Sequence, residues 1–396
     1  MLFSEQLRLS FVHQQWGTSS SGRNENRTTE AVMRIWRSII LLVLTFGMLS
    51  RVTTAQGPGG DQPDLTVDAA TRNAVIDRLI KLLNEDYIFP ETAAKMEAAL
   101  RDHQQKKDYD KLTNATSFAG ALTSHLQDIS RDKHLRVQYS NRPIPPETEG
   151  HEPSAEQMAQ FREFLRTSNC GFEKVERLPG NVGYLDLRQF APATECGETV
   201  AAAMNFLANA DALIVDLRRN GGGDPAMVAL ISSYLFDSEP VHLNDLYFRR
   251  DNATHQWWTL PYVSGKRYGA AKPIYVLTAK RTFSGAEEFT YNLKSLKRAT
   301  IVGETTGGGA NPGGGRRLNE HFGVFIPTGR AINPITKTNW EGTGVSPDVE
   351  APADKALKIA HLAAMKKVME KVTDEQRKNA IQHEIDNLQK ELGDGQ

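Results

Sequence analysis

The chain has 396 residues, 39% of them hydrophobic and 24% charged, with 47 Lys and Arg against 48 Asp and Glu. This balance is ordinary for a globular protein and excludes a wholly disordered, collagen-like or disulfide-dense chain. It also lacks the basic excess that a nucleic-acid partner requires.

In chain order, the first feature is an apolar run from Ile39 to Leu49, about half the length of a membrane-spanning helix. Arg34 and Arg37 precede it, and the small residues Thr53 and Ala55 follow. A positive flank, a short apolar stretch and a small-residue exit predict a signal peptide that starts at Met33 and is cut after Ala55. The expected mature chain is exported, periplasmic or extracellular, and keeps no membrane insertion. Residues 56–64 form a Gly/Pro linker. Val75, Leu79, Leu82 and Leu83 then recur at helical spacing. Pro90 breaks that run, and two more helices are predicted near Glu91–His103 and Ser117–Ile129. Residues 65–140 thus read as a small helical domain and 141–158 as a second linker, with a helix from about Ala155 to Thr167.

From there the period changes. Val182–Leu187, Ala212–Leu217, Pro273–Thr278 and Thr300–Gly303 are short apolar runs, and helical patterns near 200–208, 227–235 and 287–296 separate them. Alternating strand and helix predicts an α/β domain over 159–352 with a largely parallel sheet. A hairpin is expected over 318–330, and charged helices close the chain over 353–396. Cys170 and Cys196 both lie in the exported part, where a disulfide is permitted; two small buried thiols are the alternative.

Four segments can carry chemistry. Asp216-Leu-Arg-Arg-Asn-Gly-Gly-Gly-Asp224 joins a buried strand to a helix, and its glycines turn bare amides toward a cleft. Ser284, in Arg281-Thr-Phe-Ser-Gly-Ala-Glu-Glu-Phe289, lies between a strand and a helix N-terminus, like the serine of a nucleophile elbow; Ser284 and Glu287 also fit a capping box. The segment 303–315 puts six glycines into nine residues, and with no Lys-Ser/Thr after them it reads as a loop lining a substrate groove through Gly307, Gly308 and Gly309. Glu341 sits among late turn residues, either solvated or orienting a histidine. The histidines are scattered and neither H-E-x-x-H nor C-x-x-C occurs, so no metal and no cofactor is expected.

The ordered set Asp132-Lys-His-Leu-Arg-Val, Gly180-Asn-Val-Gly-Tyr-Leu, Asp216-Leu-Arg-Arg-Asn-Gly-Gly-Gly, Thr282-Phe-Ser-Gly-Ala-Glu-Glu-Phe, Arg298-Ala-Thr-Ile-Val-Gly-Glu and Gly342-Thr-Gly-Val-Ser-Pro-Asp resembles the S41 family of serine peptidases. It is most similar to the branch that holds interphotoreceptor retinoid-binding protein and the tricorn core protease. The resemblance implies a crotonase- or ClpP-like ββα spiral behind a helical domain. It implies Ser284 as nucleophile, His134 as base, Glu341 as the histidine's carboxylate partner, and an oxyanion hole from Gly285 with Gly222 or Gly223. The family's Ser/Lys branch carries its lysine where Gly309 stands here, so that dyad is absent. Lys133 stands where tricorn has a serine, a departure at the His134–Glu341 link. The 44 residues between Val137 and Val182 leave no room for a PDZ domain, so docking of protein C-termini is not expected. Two functions follow from the resemblance: a peptidase acting on peptides or proteins, or a carrier of retinoid- or fatty-acid-like ligands.

Overall fold

A computed structural model describes residues 64–146 and 154–393; the expected signal region and the linker before Asp64 lie outside the described residues. Helix α1 (Ala69–Asp86) starts at Asp68, whose carboxylate accepts the Thr71 N–H at 2.7 Å. Proline at the first position opens α2 (Pro90–Gln105). Asn114 caps α3 (Ala115–Ser130) through the Ser117 N–H at 2.8 Å. Helix α3 stops at Arg131, which adopts φ +59°, and a short turn leads into β1 (Arg136–Tyr139).

The expected helical domain does not close its core with helices alone. Its buried residues, including Leu79, Leu83, Phe118 and Leu122, pack with Phe322, Val324 and Ile326 from a hairpin late in the chain. That hairpin is β9 (Gly313–Arg317) and β10 (Phe322–Pro327), and β10 pairs antiparallel with β1. It begins earlier than the expected 318–330. Gly313 to Gly315 form strand rather than loop because the backbones close together: a Cβ on Gly313 would lie 2.2 Å from the Ile326 carbonyl oxygen.

The main sheet has six strands. After α4 (Ala155–Thr167), β2 (Phe172–Leu178) forms one edge, antiparallel to β3 (Val182–Leu187). β3, β4 (Ala212–Asp216), β7 (Ile274–Thr278) and β8 (Thr300–Gly303) then run parallel. Short β12 (Val349–Glu350) closes the far edge. Alternation assigns Leu213, Val215, Val276 and Ile301 to one face, against α5 (Ala193–Leu207), α6 (Pro225–Leu235) and α7 (Gly285–Ser295). Ala212, Ile214, Tyr275, Leu277 and Val302 pack on the other face with α8 (Ala356–Met369) and α9 (Glu375–Gly393). Burial on both faces explains the unbroken apolar runs. A third sheet, β11–β5–β6, joins β5 (His242–Phe248), β6 (Ala253–Trp258) and β11 (Gly329–Ile332). Cys170 and Cys196 are disulfide-bonded, tying the turn before β2 to the first turn of α5.

Candidate active site

The carboxyl ends of β4 and β7 lie side by side in the sheet, and the two turns that leave them are sewn together. Thr282 is fully buried; its Oγ1 donates to the Leu217 carbonyl at 2.8 Å and accepts the Ala279 N–H at 3.0 Å. The Phe283 N–H donates to the Asn220 carbonyl. This bracing holds Ser284 at φ +54° and ψ −123°, a conformation that a non-glycine residue adopts only under strain. Ser284 is the N-cap of α7, so its hydroxyl sits where the helix dipole favours negative charge.

The glycine turn after β4 packs directly on this corner. A Cβ on Gly222 would lie 2.6 Å from the Gly285 nitrogen and 2.8 Å from Ser284 Cβ; one on Gly223 would lie 2.0 Å from the Phe190 carbonyl oxygen. Only glycine fits at either place, and both have positive φ. Of the two amides expected as oxyanion donors, that of Gly222 is already committed, donating to Asn220 Oδ1 at 2.8 Å. That moves the expectation from Gly222 to Gly223, whose nitrogen would lie 3.0 Å from a Cβ on Gly285.

Glu287 does more than its capping pattern suggests. Its buried carboxylate accepts the Ser284 N–H (2.9 Å), the Gly308 N–H (2.6 Å), the Gly309 N–H (2.8 Å) and the Thr306 hydroxyl. It therefore ties the serine turn to the second glycine loop. The same loop is held elsewhere too. The Gly307 N–H donates to Thr282, and the Gly307, Gly308 and Gly309 carbonyls accept from Lys133 Nζ, the Gly342 N–H and Trp340 Nε1. All six backbone polar groups of Gly307–Gly309 are thus satisfied inside the protein. The expectation that these glycines offer a groove to a peptide gives way to a bracing role.

His134 leaves the turn after α3 with its ring against two phenyl groups, 4.5 Å from Phe283 and 5.5 Å from Phe325 between centroids. A Cβ on Gly309 would meet Phe283 at 2.3 Å and His134 Cε1 at 2.7 Å, so the space a side chain at 309 would need is filled by these rings. Burial, with Arg136 adding to it, pushes the imidazole pKa down to about 3, and the ring is neutral at physiological pH. Among the described residues no hydrogen bond joins His134 to Ser284 Oγ; the two meet through Phe283.

Glu341 reaches the same place from the opposite side. Its Oε2 accepts the Ala310 N–H at 2.6 Å and the Asn311 N–H at 3.2 Å. Burial and then the charge of Asp132 raise its pKa to about 8. Asp132, not singled out from the sequence, stands between the two expected partners. Its Oδ1 accepts the His134 N–H at 3.0 Å and lies 3.9 Å from His134 Nδ1; its Oδ2 accepts from Asn311 Nδ2 and the Tyr87 hydroxyl. Burial raises its pKa also. Where Lys133 replaces a serine, the carboxylate one residue earlier thus lies close to both His134 and Glu341 without a hydrogen bond to either side chain. The structure gathers Ser284, Gly223 and Gly285 at one corner, and His134, Asp132 and Glu341 in a group joined to it by Phe283 and the Gly309 loop.

Comparison with known proteins agrees with this architecture. Residues 181–351 match the model of peptidase family S41, and residues 66–168 match that of the N-terminal domain of Peptidase_S41 in eukaryotic IRBP. The tail-specific protease of Haemophilus influenzae is 34% identical over 156 residues, 36% of this chain and 21% of that protein. Carboxyl-terminal-processing peptidase 2, chloroplastic, of Arabidopsis thaliana is 27% identical over 184 residues, 44% of this chain and 34% of that protein. The chain thus spans about a fifth to a third of the length of these curated relatives. The crystal structure of a putative peptidase from Parabacteroides merdae superposes with a TM-score of 0.51 at 16% identity, covering 75% of this chain and 96% of the other; at that identity the likeness concerns the fold.

Proposed function

The chain belongs to peptidase family S41, and from that premise we propose that it is a serine peptidase that cleaves peptides or proteins through an acyl-enzyme on Ser284. The observation that carries this reading is the strained Ser284 turn at a helix N-terminus, with the Gly223 and Gly285 amides beside it. Ser284 Oγ attacks the scissile carbonyl. His134 takes its proton and then gives it to the leaving amine. Burial keeps His134 neutral but also lowers its proton affinity, which the carboxylate of Asp132 beside it must offset in the reaction. The amides of Gly223 and Gly285 hold the oxyanion; one such donor is worth roughly 100- to 1000-fold in rate. Water then releases the acyl group by the reverse path. Asp132 and, above its raised pKa, Glu341 stabilise the imidazolium that forms between the two proton transfers.

Export through residues 33–55 is part of the same proposal. The Cys170–Cys196 bond supports it, since such bonds persist outside reducing compartments. No helix among the described residues is long and apolar enough to cross a membrane. For the carrier alternative, one cleft of about 460 Å³ has a mixed wall, with Lys294, Lys297, Arg298, Lys367 and Asp348 beside Pro273, Ile274, Tyr275 and Ala299.

The test is digestion of a diverse peptide mixture read by mass spectrometry, beside Ser284→Ala. Cleavage by the native protein that falls at least ~1000-fold in the variant supports the reading. Equal cleavage by both would overturn it.

A further inference from the structure

We propose that Asp132, His134 and Glu341 form a binding site for one divalent transition-metal ion, best matched by Zn2+, and that its occupation switches the Ser284 chemistry off. The second half rests on the peptidase reading; the first does not.

The donor atoms of the three side chains lie within 4.8 Å of one another. Two are buried with no hydrogen-bond partner: His134 Nδ1 and Glu341 Oε1. The His134 side chain is only 10% exposed and that of Asp132 1%. A buried polar atom without a partner costs about 1–3 kcal/mol, so two in one place need a reason. The charges point the same way. Two carboxyl groups share this pocket, and every hydrogen bond they accept comes from a neutral donor: the Ala310, Asn311 and His134 amides, Asn311 Nδ2 and the Tyr87 hydroxyl. The neighbouring Lys133 ammonium is spent on the Gly307 carbonyl. A cation between the carboxylates would supply the missing positive charge.

The donor set selects the ion. One imidazole nitrogen and two carboxylate oxygens, with a fourth place for water, is the composition of a three-ligand zinc site. Ca2+ and Mg2+ require six or more oxygens and do not favour an imidazole. Tetrahedral bonds of about 2.1 Å place ligand atoms about 3.4 Å apart. The widest separation here must therefore close by about 1.4 Å. The His134 ring is packed against Phe283 and Phe325, so the carboxylate arms move. Glu341 Oε1 is free to do so, because its hydrogen bonds use Oε2.

The consequence for catalysis follows from the tautomer. A neutral imidazole that gives its Nδ1 lone pair to a metal carries its proton on Nε2. It is then a donor, and it cannot take the proton of Ser284.

The experiment begins without substrate. Zn2+ is titrated into the full chain against a competing fluorescent chelator, and Co2+ is titrated separately to read the visible bands of a four- or five-coordinate centre. One equivalent is expected, released by excess chelator, with affinity weakened more than about tenfold in Asp132→Asn and in Glu341→Gln. Absent binding would overturn the site, and so would binding unchanged in both variants, which would place zinc elsewhere, for instance on the stacked His103–His125 pair. Should the variants fail to fold, anomalous scattering from ZnCl2-soaked native crystals decides: a peak among the three side chains is expected, and its absence refutes the proposal. Peptide cleavage is measured last. Loss with zinc and recovery with chelator support the switch, and equal cleavage by the zinc-loaded protein refutes it. A protein that binds zinc at these side chains yet cleaves nothing would overturn the peptidase reading and leave the site standing.

Discussion

Replacing Glu287 by alanine removes the acceptor of four hydrogen bonds at once, three of them from backbone amides of two different turns. The residue is fully buried, so water does not readily replace the lost oxygens. Four stranded donors at the lower limit of about 1 kcal/mol each come to about 4 kcal/mol. Relief of the desolvated carboxyl, whose pKa burial raises, returns part of that. A net loss of about 3 kcal/mol is expected, which lowers a urea midpoint by about 1 M when the denaturant slope is near 3 kcal/mol/M. Because the lost bonds join the Ser284 turn to the loop against His134, cleavage should fall about 100-fold even in the folded fraction, the typical cost of a slightly misplaced catalytic group. Glu287→Gln keeps one oxygen but turns an NH2 toward amide donors, so it should repair stability only in part. Urea unfolding with peptide turnover tests both. A midpoint within about 0.3 M of the native protein, with undiminished turnover, would refute the idea that this carboxylate braces the site.

Further outcomes follow from the same geometry. The pH profile of cleavage should lack the usual histidine limb near 6.5 and rise toward pH 8–9, since His134 is held near 3 and Glu341 near 8. A carboxyl with a higher pKa folded than unfolded stabilises fully below its unfolded value. The contribution of Glu341 should therefore decline between about pH 4.5 and 8, read as a falling melting temperature over that range. Ser284→Gly should be more stable than Ser284→Ala by about 1 kcal/mol, because glycine tolerates φ +54° and alanine does not; equal melting temperatures would refute the strain argument. Reduction of the Cys170–Cys196 bond, which spans 26 residues, should cost about 3 kcal/mol of stability in a denaturant titration with and without reductant.

How much of this was legible depended on distance along the chain. β3, β4, β7 and β8 announced themselves because burial on both faces leaves a continuous apolar run. β2 escaped notice because Glu173, Lys174, Glu176 and Arg177 make an edge strand look like a loop. The β5–β6 hairpin escaped because Asn244, Asp245 and Gln256 interrupt it. Ser284 was visible from its strand–turn–helix setting. Glu287 was visible only as its local capping partner, since its bonds to Gly308 and Gly309 close over more than twenty residues. Asp132 could have been found: an aspartate two places before a histidine commonly accepts that residue's N–H, as it does here. Nothing in the sequence could place both Phe283 and Phe325 against the His134 ring.

The pairing of β1 with β10 has a consequence for the newborn chain. Residues 136–139 find their partners at 322–325, and Asp132 and His134 meet Glu341 only across some two hundred residues. Synthesis runs from the amino end, so the segment bearing His134 emerges long before the strand that completes its surroundings. The serine turn finds its braces by residue 309, but His134 waits for Phe325 and Glu341, which follow later in the chain. Under the proposed mechanism, the chain stays inert toward its own ribosome-bound neighbours until the turn bearing Glu341 has been made.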